Sequence, residues 1–197
     1  MRAHRNRLRA LAAGGAAALI VALAASALAA TPSRPVKVKD PRGDVRAGGL
    51  DLTRVQLGRS SDGSLRAALT LVASWTAKDL PSGDGPPGAL CVRIWTAAKP
   101  GQAAPDRLVC VYADAAGRKL RGVVYRQGSD HLERVADASL SRSSDRTVIV
   151  KFSRSSIGKP AKLSFQAEAD SPGCAGTSCV DTAPDGGGTA VLTLRKS

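Results

Sequence analysis

Six aspartates fall into two glycine- and proline-rich stretches near the ends of the chain. Asp40, Asp44 and Asp51 sit in DPRGDVRAGGLDL, and Asp170, Asp181 and Asp185 in DSPGCAGTSCVDTAPDGGG. Carboxylates on turns, among backbone carbonyls, are what calcium takes, because that ion needs roughly six to eight oxygens. Aspartate beside glycine or proline also serves ordinary turns, where its side chain bonds to nearby backbone, and no spaced EF-hand loop is present. Both readings stay open. As calcium ligands the first expected are Asp40, Asp44 and Asp51, with Asp181 and Asp185 behind them; the two stretches share one end of the domain if the terminal strands lie side by side. The Arg42-Gly43-Asp44 tripeptide is a three-residue match, and as an adhesion signal it would need an exposed loop and an animal-cell partner.

Other chemistries find less support. Ser129, Asp130 and His131 are consecutive, and in an extended chain consecutive side chains point to alternating sides, so they cannot form a nucleophile relay. No G-x-S-x-G elbow, glycine-rich phosphate loop or H-E-x-x-H occurs, and Glu133 and Glu168 are the only glutamates. The expectation is therefore a protein that is not an enzyme. Trp95, at the end of CVRIW beside a loop, is the candidate ligand-stacking ring, with rim packing as its other role; Trp75 follows a core period. Cys91 and Cys110 flank the turn KPGQ, which would set them opposite each other in a hairpin, and Cys174 and Cys179 close CAGTSC. The expected disulfides are Cys91–Cys110 and Cys174–Cys179. A structural zinc site lacks a second close cysteine pair and has only His131 beyond the leader.

These residues must be positioned by strands. MRAHRNRLR followed by ALAAGGAAALIVALAASALAA reads as a Sec-type signal peptide over residues 1–29, with Ala27-Leu28-Ala29 as the cleavage signal. An uncleaved anchor is the other reading of that run. A short linker follows at 30–35, then one domain at 36–197 that would be secreted, extracellular or attached to the cell envelope. Removing Arg2, Arg5, Arg7 and Arg9 lowers the formal charge from +13 to +9. Such a surface attracts polyanions, so an anionic envelope polymer or polysaccharide is the expected partner, unless the scattered charges only keep the domain soluble. Nucleic acid is disfavoured by the scarcity of aromatics, which make up 3% of the chain. The mature part contains no candidate membrane span, and nothing in it sets an oligomeric state.

Alternating apolar and polar residues recur between turn clusters. SLRAALTLVASW places Leu65, Ala67, Leu69, Leu71, Ala73 and Trp75 on one face. Strands also read near Leu50–Gly58 and at ALCVRIW, RLVCVYA, KLRGVVYR, HLERVADA, RTVIVKF, KLSFQAEA and TAVLTL, with no convincing helix. About nine or ten short strands imply an all-β, antiparallel two-sheet β-sandwich of jelly-roll or immunoglobulin-like type, with a barrel as the alternative.

DPRGD, LDLTRVQL, GSLRAALTL and CVDTAPDGGGTAVLTL together resemble a group of uncharacterised exported actinobacterial β-sandwich proteins that open on D-P-x-G-D and an L-D-[LI] strand. The opening, Asp40 to about Leu71, is also similar to family 9 carbohydrate-binding and DOMON-like modules. That resemblance implies a β-sandwich with structural calcium near the first strand, and no activity. The aromatic clamp of the sugar-binding modules has no counterpart here. The combined expectation is a secreted, non-catalytic binding protein associated with the envelope or a polyanion. A carbohydrate-binding module with structural calcium is the alternative, and an unrecognised hydrolase the second.

Overall fold

A computed structural model describes residues 34–45, 50–80, 90–96, 104–171 and 180–194. The expected signal peptide and the expected Cys174–Cys179 bridge lie outside the described residues. Within them the period-two alternation builds eleven strands: β1 (Val36–Lys39), β2 (Leu52–Arg59), β3 (Leu65–Leu71), β4 (Leu90–Trp95), β5 (Arg107–Ala113), β6 (Leu120–Gln127), β7 (Leu132–Arg142), β8 (Thr147–Phe152), β9 (Lys162–Asp170), β10 (Val180–Ala183) and β11 (Ala190–Thr193). The only helical pieces among the described residues are two single 3-10 turns, Ala77–Asp79 and Arg154–Ile157. No helix there is long and apolar enough to cross a membrane.

All strand pairs are antiparallel, as the turn-rich alternation implies. A two-sheet sandwich is not confirmed, because β7 carries the pairing from one half of the strands to the other. The strands form one ladder in the order β1-β2-β3-β8-β7-β6-β5-β4-β9-β10, with β11 also paired to β9. Continuity runs through β7, eleven residues long. Its first part pairs with β6, and its last residues, Ser139–Arg142, pair with β8. A register shift at Val124/Tyr125 lets the sheet turn there, since an extra residue bends a strand and increases its twist.

The rolled sheet brings its two edges together. β1 lies beside β11 and the start of β2 beside β10, so the sheet is nearly closed. No backbone ladder joins these edges among the described residues, which leaves a seam.

Alternating residues of every strand fill the interior. Leu65, Ala67, Leu69 and Leu71 of β3 are buried, as are Leu90, Val92 and Ile94 of β4 and Leu163, Phe165, Ala167 and Ala169 of β9. The face read from the sequence for β3 stops at Leu71, where the strand ends; Ala73 is exposed. Trp75 is nevertheless buried, donating its indole N–H to the Arg146 carbonyl at 3.2 Å beneath the Arg142 guanidinium. Cys91 and Cys110 are direct partners in the β4–β5 register, with Cα atoms 4.1 Å apart, and form a disulfide. Closing a loop of that length removes denatured-chain freedom equivalent to about 3 kcal/mol.

Candidate metal centre

Two short strands aim carboxylates at the seam. In β1, Val36 and Val38 pack against the core while Lys37 and Lys39 face outward. The alternation therefore turns the next residue, Asp40, inward, and the Asp40 N–H donating to the Thr53 carbonyl at 3.1 Å extends the β1–β2 pairing to it. In β10 the same parity buries Asp181 and Ala183. Asp181 lies opposite Ala169 on β9, where alanines at 167 and 169 leave room that Phe165 and Leu163 fill further along. From the far side of the seam, the Leu52 N–H donates to Asp181 Oδ2 at 2.5 Å.

Loops bring in the other two carboxylates. Gly43 takes a left-handed φ of 77° and donates its N–H to Asp51 Oδ2 at 2.6 Å, which folds the DPRGD loop back onto the start of β2. Asp44 follows directly. Asp185 comes after the cis Ala183–Pro184 bond, in a turn closed by the Gly188 N–H donating to its carbonyl. Asp40, Asp44, Asp181 and Asp185 each offer an oxygen within 4.8 Å of the others. Asp40 and Asp181 are buried and Asp44 and Asp185 exposed, so the group is closed on the core side and open on the other.

The electrostatics of this group are unfavourable by themselves. Neither carboxylate oxygen of Asp40, which is 9% exposed, has a hydrogen-bond partner. Burial, and then the charges of Asp181, Asp185, Asp44 and Asp51, push its pKa up to about 8. Asp181 is pushed up to about 6 by burial, against the opposing effect of the Leu52 N–H. Asp185 is raised by burial and by neighbouring Asp44. Buried carboxylates without donors or counter-ions are costly, and a bound cation relieves that cost.

Asp51 stands apart from the four. One of its oxygens accepts from Gly43 and the other is buried without a hydrogen-bond partner, while its charge still raises Asp40 and Asp181. Asp170 ends β9 outside the cluster. Trp95 is 5% exposed, with the Arg93 guanidinium 5.6 Å from its ring centroid, so the ring offers little surface for stacking a sugar. His131 is exposed after Ser129 and Asp130, whose side chains bond to each other.

The pairing of the two aspartate stretches was visible in the sequence, but the choice of residues was not. Asp181 reads there as a loop residue, yet V-D-T-A is itself a short alternating strand, and that is the signal that would have turned Asp181 inward. Compared with models of protein families, with curated proteins and with solved structures, the chain matches none.

Proposed function

We propose that the seam aspartates hold a calcium ion, and that the chain is a non-catalytic, exported binding domain whose nearly closed sheet that ion stabilises. The observation behind this reading is the Asp40 carboxylate, buried, without a hydrogen-bond partner, and facing three further carboxylates. The donors are all oxygen, with no histidine or cysteine among the four, which suits a hard cation rather than zinc or copper. Asp40 and Asp181 would bind from the interior and Asp44 and Asp185 from the open side, where water completes the shell. The residues come from both ends of the sheet, so the ion's chemistry is structural: it replaces mutual repulsion across the seam with shared attraction.

The test is calorimetric titration of chelator-treated protein with calcium, magnesium and manganese, alongside thermal melts. Calcium should bind with measurable heat and raise Tm. Binding to the folded state alone stabilises by about 2.7 kcal/mol at a hundredfold excess over Kd, which is roughly 5–11 °C for a chain of this size. Asp181→Asn should abolish both signals. Absence of heat and of any Tm shift with all three cations would rule the site out.

A further inference from the structure

The scattered basic residues of the sequence are gathered by the register onto one face of the sheet. Lys37 and Lys39 of β1, Arg54 of β2, Arg66 of β3 and Lys151 of β8 all occupy outward positions on adjacent strands. Two of the cross-strand pairs are of like charge, Lys39 opposite Arg54 and Arg66 opposite Lys151. Directly opposed like charges destabilise a sheet, and only Lys151 has a carboxylate partner among the described contacts, Asp62 at 2.5 Å. At the hairpin end the face deepens into a cleft of about 240 Å3 lined by Arg34, Pro35, Gln56, Gly58, Arg59 and Arg66. Gly58 makes that cleft possible: a Cβ there would stand 2.8 Å from the Pro35 Cβ, so glycine lets residues 34 and 35 lie close against β2. Among the described residues, no acidic residue lines the cleft.

We infer that this face binds a linear anionic polysaccharide, with one acidic group of the chain seated in the arginine cleft and its neighbours along the Lys37–Lys39–Arg54 ladder. Charge complementarity selects a polyanion, and arginine clusters recognise oxyanions through forked donors. The rest of the face selects against nucleic acid. Gln56, Ala68, Thr70, Thr147 and Ile149 fill the positions between the cations, so there is no aromatic platform on which bases could stack. Strand spacing presents cations at about 4.8 Å across the sheet and about 6.8 Å along it, which suits the repeating charges of an extended glycan. The inference rests on the reading of the chain as a binding domain, but not on its calcium site.

The experiment measures binding of fluorescent heparin and polygalacturonate oligosaccharides to calcium-saturated protein across a salt series, with a duplex DNA of similar charge as competitor. Binding of at least one glycan is expected, weakening steeply with salt because exposed charges are screened. K37S/K39S/R54S should weaken it at least tenfold at low salt. R118S/K119S/R121S, which removes equal charge from the exposed β5–β6 turn region, should change it less than threefold. Equal loss in the two triple variants would reduce the effect to net charge and overturn the inference, as would no binding of either glycan. Tighter binding of DNA than of both glycans would overturn the assignment of partner. Calcium heat measured on the same variants keeps failure here distinct from failure of the aspartate site.

Discussion

Asp40→Asn is expected to stabilise the calcium-free protein at pH 8 while abolishing its response to calcium. The Asp40 and Asp181 carboxyls hold their protons to about 8 and about 6 in the fold, whereas in the unfolded chain aspartate releases its proton near 3.9. The folded state therefore binds more protons than the unfolded state throughout that interval, and stability falls as pH rises through it. Calcium-free protein should be most stable below about pH 4 with respect to these groups, lose stability through about pH 6, and lose the remainder by about pH 8. Asparagine at 40 removes Asp40's share of that loss, which accrues from about pH 4 to about pH 8. The gain at pH 8 should be on the order of 1–2 kcal/mol, or roughly 2–8 °C in Tm, and should be smaller at pH 5, where the pH lies only about one unit above the unfolded value. Saturating calcium should reverse the order, placing wild type above the variant. Melts at pH 5 and 8, with chelator and with calcium, check this. A calcium-free wild type equally stable at both pH values, with the variant weaker at both, would contradict it.

Phe165→Ala should cost about 3–5 kcal/mol, the range for removing a large ring from a packed interior. Phe165 is fully buried on β9, between Ile94 on β4 and Ala190 on β11. That strand supports both short strands of the last edge, since β10 and β11 pair with its two halves. A cavity there should loosen the support of Asp181, so calcium affinity should fall together with Tm. Phe165→Leu, which keeps most of the volume, should cost about 1.5 kcal/mol or less and leave calcium binding near normal. Denaturant unfolding and calcium titration of both variants provide the measurement. A Phe165→Ala protein within 1 kcal/mol of wild type would show that β9 is not the support described.

The strands legible in the sequence were those long enough for alternation to repeat. β3, with four apolar residues at even spacing, and the β4–β5 hairpin with its cysteines in register both read directly from residue order. β1 and β10 did not, because four residues hold only two periods and their neighbours are turn formers. These are the strands that aim Asp40 and Asp181, so the candidate site was visible as two acidic loops but not as an inward-facing group. Residue order alone groups Asp51 with Asp40 and Asp44, because all three share one stretch. Its hydrogen bond to Gly43 depends on a folded loop. Closure of the sheet was also beyond reach, since alternation reports which face is buried and not whether the buried faces belong to one sheet or two.

The seam has a kinetic meaning as well. Leu52 and Asp181, which meet across it, are 129 residues apart in the chain, and contacts of such separation pay their loop-closure entropy late in folding. An ion held there should therefore leave the folding rate nearly unchanged and slow unfolding. Stopped-flow rates with and without calcium would show this as a shift of the unfolding limb alone; equal acceleration of folding would mean that the two ends meet early. On this view the aspartates act as a latch: the sheet assembles without them, and they govern how long it stays shut.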